Sequence, residues 1–163
     1  MASHLAKNGH EVRLWEFVES QVQFMKEKRS LQFLPQLKIP ESIGVTADMK
    51  EAMAGADVIF SIVPSQFVRS TWTQAKKFAG PLKLVVSLSK GIEPETLKRM
   101  TEVIVDEVPA AKDSMAVLCG PSHAEEVARD IPTAVVAASQ KKPLAELAQS
   151  LMAVLRKTPA VKR

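Results

Sequence analysis

Two short segments of this sequence carry residue types that can bind a phosphate group. Residues 89–91 read Ser-Lys-Gly and follow an apolar run, so Lys90 stands where a strand is expected to end. An ammonium group there can meet a phosphate as a point charge, and Gly91 allows a tight turn or the close approach of a ligand. The alternative is an exposed lysine in an ordinary loop between a strand and a helix.

The second segment begins at Gly120 and places Ser122 three residues before Glu125. This spacing is typical of a capping box, in which two side chains satisfy free N–H groups at the start of a helix. The same N–H groups and the helix dipole attract anions, and Gly120 would let a ligand approach the backbone closely. Helix capping without a ligand is the alternative explanation.

Strand-like and helix-like segments alternate along the whole chain. This alternation predicts an α/β fold, Rossmann-like, with a mostly parallel sheet and helices on both faces. The predicted strands cover residues 11–16, 43–46, 57–63, 82–89, 115–119 and 133–139. The predicted helices cover residues 2–8, 18–29, 48–54, 65–78, 94–107, 122–129 and 144–156. Both phosphate-binding candidates then follow strands, where open α/β sheets bind ligands.

Other residues after predicted strands are suited to a nucleotide. Glu16 and Phe17 follow the strand at 11–16, where such domains often meet an adenosine ribose. A carboxylate at Glu16 would bind ribose hydroxyls and repel a 2′-phosphate, which favours NAD slightly over NADP. Pro64 and Phe67 follow the strand at 57–63, and Phe67 could lie along a nicotinamide or ribose face. Core packing is an equal alternative for Phe67.

Composition argues against several other classes of site. The formal net charge is +4, but the basic residues are scattered and give no run typical of nucleic-acid binding. A single cysteine, Cys119, rules out an intrachain disulfide, and we expect it to be buried at the end of a strand. The three histidines show no metal-ligand spacing. No apolar run reaches the roughly 18 residues of a membrane span, so we expect a cytoplasmic protein without metal.

Several segments, in order, resemble one family. They are residues 4–15, the Phe-Leu-Pro loop at 33–35, residues 63–66 and 89–94, and residues 120–128 (Gly-Pro-Ser-His-Ala-Glu-Glu-Val-Ala). Together they are similar to the N-terminal domain of the NAD(P)-dependent glycerol-3-phosphate dehydrogenases. The resemblance implies an oxidoreductase that interconverts glycerol 3-phosphate and dihydroxyacetone phosphate, using NAD or NADP, in glycerophospholipid synthesis.

The resemblance also implies roles for individual residues. Lys90 would touch both cofactor and substrate, Gly120 and Ser122 would line the substrate site, Ala124 would approach the cofactor, and Phe17 would lie near its adenosine end. The family's catalytic lysine belongs to a helical C-terminal domain, beyond Arg163, so no catalytic residue is expected here. The full-length family implies a possible homodimer.

A dinucleotide-binding sheet normally opens with a strand and a G-x-G-x-x-G turn, and none of the six glycines here forms that pattern. We therefore expect residues 1–163 to form a partial NAD(P)-binding Rossmann domain. It would lack the first strand, the glycine-rich loop and the helical substrate domain. The strands at 11–16 and 57–63 would then have open edges or pair with each other, and the chain alone would be poorly stable and inactive. Three alternatives are a non-catalytic module that recruits a partner strand, a gene fragment without activity, and a different hydroxyacid-type Rossmann dehydrogenase.

Overall fold

A computed structural model describes residues 1–120, 124–129, 131 and 133–153 of the chain. The elements follow the predicted alternation of helix and strand. They are α1 (Ala2–Lys7), β1 (Arg13–Trp15), α2 (Glu19–Lys28), β2 (Gly44–Thr46), α3 (Met49–Met53), β3 (Val58–Ser61), α4 (Ser65–Ala75), β4 (Leu84–Ser87), α5 (Met100–Glu107), a 3-10 helix (Pro109–Ser114), β5 (Met115–Cys119), α6 (Ala124–Ala128), β6 (Val136–Ala138) and α7 (Lys142–Met152).

The strands form two separate sheets. Strands β1 and β2 pair in parallel, and the other four strands form a second sheet in the order β3-β4-β5-β6. Strands β3, β4 and β5 are parallel to one another, whereas β6 runs antiparallel to β5. No ladder joins β1 to β3 in the described part of the chain, which agrees with the expectation that both have an open edge.

Helices pack on both faces of the larger sheet, as predicted. Helices α4 and α5 cover one face through Val68, Trp72 and Ile104, which pack with Val85 of β4. Helix α7 covers the other face through Ala148, with Leu84 and Val86 of β4 among its core neighbours. A third cluster surrounds α2 and β2 and includes Val22, Met25 and Val45. The β4 side chains therefore lie in the centre of the hydrophobic core.

The apolar run at 57–63 is typical of a parallel strand that is covered on both faces, but β3 is not covered in this way. Three of the four residues of β3 are only half-buried, whereas all four residues of β4 are buried. Ile62, directly after β3, is 52% exposed. The reason is that no described strand pairs with the other edge of β3, and a parallel strand is covered fully only when strands flank it and helices cover both faces.

Two residues set the ends of helices through local interactions. Gly9 follows α1 with φ of +86°, the left-handed conformation that glycine adopts without strain at the end of a helix. Asp48 caps α3, because its carboxylate accepts a hydrogen bond from the Lys50 N–H at 2.8 Å. Short-range chemistry therefore sets these helix ends.

The helix predicted from Pro94 begins later than expected, at Met100. A turn precedes it, in which Leu97 donates to the Glu93 carbonyl at 2.8 Å and takes a φ of +56°. Ile92 and Arg99 close this turn with an antiparallel bridge, and the Arg99 N–H donates to the Glu102 carboxylate at 2.8 Å. The helix therefore begins after Arg99, where Arg99 and Glu102 form the cap, and not at Pro94.

The burial predicted for Cys119 is also wrong, because Cys119 is exposed. Along β5 the side chains alternate, with Ala116 and Leu118 buried and the other residues less covered. Alternation places Cys119 on the less covered face at the end of the strand. The last helix ends at Met152, and residues 154–163 lie outside the described part. No helix in the described part is both long enough and apolar enough to cross a bilayer.

Candidate functional site

A large cleft of about 1680 Å³ lies between the open edges of β1 and β3. Residues 10–18 line one side and residues 53–64 line the other, while Met1, Ala2 and Leu5 contribute from α1. The cleft extends from the amino ends to the carboxyl ends of both strands. Its carboxyl end lies at the edge where α/β sheets bind ligands.

Three of the predicted cofactor residues meet at this cleft. Phe17 follows β1, and Pro64 and Phe67 follow β3, and all three are among its lining residues. Phe17 is 71% exposed and Phe67 is 54% exposed, so neither ring is used in the core. The Phe17 ring makes an edge-to-face contact with Trp15, with 6.4 Å between ring centroids. Exposed rings beside a cleft offer apolar faces to a planar ligand.

The loop that carries Lys90 is fastened to the loop after β3. The Ser89 hydroxyl donates to the Val63 carbonyl at 2.6 Å. Gly91 has a φ of +110°, and a Cβ atom there would lie 3.2 Å from the Ser65 hydroxyl oxygen. The positive φ therefore favours glycine at this position, and a larger residue would also crowd the Ser65 side chain. Lys90 itself is exposed and makes no ion pair with another described residue, so its ammonium can meet an anion.

An ionic cluster between this loop, α4 and α5 fixes the loop in place, and the sequence analysis did not predict it. Arg69 of α4 binds Glu93 with two hydrogen bonds, Nε to Oε1 at 2.7 Å and Nη2 to Oε2 at 2.8 Å. The same guanidinium reaches Glu107 at 3.0 Å and Asp106 at 3.1 Å. Bidentate arginine–carboxylate pairs fix geometry as well as charge. One signal for this cluster is visible in the sequence, the Glu-Pro pair at 93–94. No spacing pattern indicates that the partner of Glu93 lies on α4.

The cluster shifts the ionisation of its carboxyl groups. Hydrogen bonds from Arg69, and then from Thr96, lower the pKa of Glu93 from 4.5 to about 2. Hydrogen bonds from Lys98 and Arg69 lower the pKa of Asp106. A hydrogen bond from Lys76 lowers the pKa of Glu107. Together these acidic groups raise the pKa of Arg69, so the cluster is fully ionised at neutral pH.

The predicted substrate residues are less completely defined. Gly120 directly follows β5, and a Cβ atom there would lie 2.5 Å from the Ala134 carbonyl oxygen. The glycine is therefore required by the approach of its own chain, before any ligand is considered. Ala124 begins α6, and Ser122 lies outside the described residues. Neither Lys90 nor Gly120 lines the cleft between β1 and β3.

Glu16 already has a local partner. Its carboxylate accepts a hydrogen bond from the Val18 N–H at 3.0 Å, at the start of α2. One oxygen remains available, so a contact with a ribose hydroxyl is compatible with this arrangement. Elsewhere in the described residues, no group of three His, Cys, Asp or Glu side chains is arranged to hold a metal ion.

The parallel sheets, the covering helices and the ligand cleft at the strand ends define a Rossmann-like nucleotide-binding domain. A family model described as the N-terminus of NAD-dependent glycerol-3-phosphate dehydrogenase matches residues 1–145. The chain belongs to this family.

Individual relatives agree. The chain is 43% identical over 148 residues to a glycerol-3-phosphate dehydrogenase (NAD(P)+) of Agathobacter rectalis, covering 90% of this chain and 44% of the relative. It is 43% identical over 152 residues to a second such enzyme of Salinibacter ruber, covering 91% of the chain and 44% of the relative. The chain thus spans less than half the length of these curated relatives.

Solved structures give the same result. The crystal structure of glycerol-3-phosphate dehydrogenase from Coxiella burnetii superposes with a TM-score of 0.85 at 28% identity, covering 95% of this chain and 47% of that one. The glycerol-3-phosphate dehydrogenase of Plasmodium falciparum superposes with a TM-score of 0.81 at 19% identity, covering 94% of this chain and 45% of that one, which supports the fold.

Proposed function

We propose that this chain is the cofactor-binding part of an NAD(P)-dependent glycerol-3-phosphate dehydrogenase and holds NAD or NADP at the carboxyl ends of its strands. One observation carries the proposal: in a chain of this family, Phe17, Pro64 and Phe67 converge on one cleft although they follow two different strands. When bound, the cofactor supplies the hydride chemistry. The chain supplies binding and orientation.

In this proposal the exposed rings hold the two ends of the cofactor. Phe17 packs against the adenosine, and Pro64 and Phe67 pack against the nicotinamide riboside. Lys90 meets a phosphate of the substrate, glycerol 3-phosphate or dihydroxyacetone phosphate, and also contacts the cofactor. Gly120 and Ser122 line the substrate site, and Ala124 approaches the cofactor.

The residues fit the nucleoside ends of NAD(P) better than its diphosphate. None of the six glycines has the G-x-G-x-x-G spacing that brings backbone N–H groups to a diphosphate. We therefore propose that residues 1–163 act as a partial Rossmann domain. They bind NADH weakly alone, with a Kd of about 0.1–1 mM. The proposal assigns no catalytic acid or base to this chain, so hydride transfer requires the family's helical domain.

The test is a titration of the full 163-residue chain with NADH, followed by energy transfer from tryptophan to the nicotinamide. Phe67→Ala should weaken binding about fivefold, because a stacked ring contributes roughly 1 kcal/mol. Phe78→Ala is the matched control, since Phe78 is also exposed but does not line the cleft. Micromolar affinity would contradict the partial-domain proposal. Equal effects of the two substitutions would contradict the assigned cleft.

The role of Lys90 has its own test. Lys90→Met should weaken the binding of glycerol 3-phosphate, measured by ligand-observed NMR in the presence of NADH, whereas Lys77→Met should not. Both lysines are exposed, so loss of net charge is the same in the two variants. An equal loss of binding in both would show that overall charge, rather than the loop after β4, attracts the phosphate.

The remaining parts of the proposal concern the cellular context. We propose that the protein acts in the cytoplasm on small phosphorylated molecules, without a nucleic-acid partner, and that the full-length form is a homodimer. The 163-residue chain should therefore show no retention on a DNA or RNA column at physiological salt. Retention that survives 0.5 M salt would contradict this part.

A further inference from the structure

We propose that Arg69 is a positioning residue for the substrate: acting through Glu93, it fixes the point at which the Lys90 ammonium meets the substrate phosphate. The inference rests on the proposed function, since it takes the phosphate contact of Lys90 from there. Arg69 lies on α4, and its guanidinium binds carboxylates of the protein rather than the substrate. Its effect on the substrate depends on how the loop after β4 is held on either side of Lys90.

The loop is held differently before and after Lys90. Before it, β4 pairs with β3, and the Ser89 hydroxyl donates to the Val63 carbonyl at 2.6 Å. After it comes Gly91, with a φ of +110°. Glycine has no Cβ atom and rotates more freely than other residues. The direction in which the chain leaves Lys90 therefore requires a second anchor beyond Gly91.

Glu93 is this second anchor, at the start of a compact turn. The Glu93 N–H donates to the Lys98 carbonyl at 2.9 Å, and the Leu97 N–H donates to the Glu93 carbonyl at 2.8 Å. The Thr96 hydroxyl donates to the Glu93 carboxylate. The turn is thus closed by its own hydrogen bonds. The Glu93 side chain, only 16% exposed, joins this turn to α4 through its two hydrogen bonds with Arg69.

Among the described residues, Arg69 is the one cation that pairs with Glu93. The other two carboxylates of the cluster each pair with a lysine as well, Asp106 with Lys98 at 2.6 Å and Glu107 with Lys76 at 3.1 Å. Loss of Arg69 would therefore leave Glu93 alone without a counterion. A poorly exposed carboxylate without a partner is costly, so Glu93 would move out into water and the turn would move with it.

The same ion pair connects Lys90 to the cofactor side of the site. Phe67, the ring proposed to pack against the nicotinamide riboside, lies two residues before Arg69 on α4. This helix is fixed in the core, because Trp72 is 2% exposed. Arg69 thus joins the lysine that meets the substrate phosphate to the helix that carries the cofactor-binding ring. Hydride transfer requires the two reactants to be held in a set geometry, and this ion pair contributes to it.

The first test compares two glutamates that bind the same arginine. Glu93 lies on the Lys90 loop, whereas Glu107 lies on α5, and both accept hydrogen bonds from Arg69. Binding of glycerol 3-phosphate to the full chain, with NADH present, is followed by ligand-observed NMR. Arg69→Ala and Glu93→Ala should each weaken binding about fivefold, because the ammonium is displaced, and Glu107→Ala less than about twofold. The two glutamate variants change net charge equally. Equal losses in both would show that the cluster only supports the packing of α4 on α5, and would overturn the proposal.

A double-mutant cycle shows whether Arg69 acts through Lys90. When Lys90 is already replaced by Met, Arg69→Ala should cause no further loss of glycerol 3-phosphate binding, because the group that it positions is gone. Additive losses would overturn the proposal. If Lys90→Met alone leaves binding unchanged, the phosphate contact in the proposed function is wrong, and the positioning role is wrong with it. If Lys90→Met weakens binding and Arg69→Ala does not, only the positioning role is wrong.

Rescue by guanidinium separates positioning from a loss of stability. The Arg69 side chain is 35% exposed, so a guanidinium ion from solution can reach the carboxylates that it leaves. In the Arg69→Ala variant, guanidinium chloride at a non-denaturing concentration should restore most of the lost binding, whereas sodium chloride at the same concentration should not. A variant that had only lost stability would bind still more weakly, since guanidinium is a denaturant. Absence of rescue would overturn the proposal.

The order of the loop can be measured without any ligand. The backbone heteronuclear NOE of Lys90 reports motion on the picosecond-to-nanosecond timescale. We expect this NOE to fall in Arg69→Ala and Glu93→Ala and to stay unchanged in Glu107→Ala, while the NOE of Val86 in β4 stays constant in all three. A Lys90 amide that is equally rigid in every variant would contradict the positioning role, whether or not glycerol 3-phosphate binds.

Discussion

Strands β3 and β4 have nearly the same composition but different environments. Val58–Ser61 and Leu84–Ser87 each contain three large apolar residues and a serine, and they are paired in register. The apolar residues of β4 are fully buried, whereas those of β3 are half-buried. The difference teaches that a strand's burial depends on its neighbours in the sheet, because each flanking strand covers one edge.

The strongest test of this comparison is amide hydrogen exchange. The Val86 amide lies inside a paired sheet, while the Phe60 amide faces the open edge. We expect Val86 to exchange roughly a thousandfold more slowly, because its exchange requires much larger unfolding. NMR measurement of both amides in the free chain checks this. Similar rates would show that the edge of β3 is covered.

Gly120 tests the opposite side of the larger sheet, where β5 pairs with β6. Gly120→Ala should lower the free energy of unfolding by about 1–3 kcal/mol, because the new methyl group would overlap the backbone that leads into β6. Gly80→Ala is the control, since nothing lies within 4 Å of a Cβ atom there. Urea denaturation measures both. A neutral Gly120→Ala would mean that the turn adjusts without cost.

A matched valine pair tests the comparison directly. Val86→Ala should lower the free energy of unfolding by about 2 kcal/mol, and Val58→Ala by about 1 kcal/mol, since less apolar surface is lost at the half-buried site. Equal costs would show that β3 is as well covered as β4.

The smallest expected effect concerns pH. Glu93 has a pKa of about 2 in the folded chain, below its ordinary 4.5, so its stabilising contribution is present above about pH 4.5. It is lost as the pH falls toward 2. The Tm of the unsubstituted chain should fall between pH 5 and 2.5. Arg69→Met should make this fall smaller, and Arg99→Met should change it less. Among the described residues, Arg99 pairs with Glu102 alone, and its side chain is 74% exposed, where ion pairs contribute little. A steeper fall in the Arg69 variant would contradict this.

Much of the fold could be predicted because its signals are local. Helix-stopping Gly9, the Asp48 cap and the alternation of apolar and polar segments all depend on residues close in sequence. The Pro94 prediction failed because the Glu93–Arg99 turn is held by Arg69 from another helix. Cys119 was misplaced because its exposure depends on which side chains of β5 lie on the less covered face of the sheet.

The candidate site was predicted in part for the same reason. Lys90, Phe17, Pro64 and Phe67 could be found because ligand-binding residues follow strands in α/β proteins. Spacing could not show that Phe17, Pro64 and Phe67 share one cleft. It also could not show that Gly91 packs on Ser65. These contacts join loops after different strands, and the sequence does not encode the order of strands in a sheet by any local pattern.

The amino-acid sequence by itself determined the family, the α/β class and the residues at the strand ends, because residue type and short-range spacing are enough to mark them. Only the tertiary structure decided that β1 and β3 face each other across a cleft and that Arg69 anchors the Lys90 loop. It also decided that Gly120 serves the packing of its own chain. Each of these depends on distances between segments far apart in sequence, which packing of the whole chain sets.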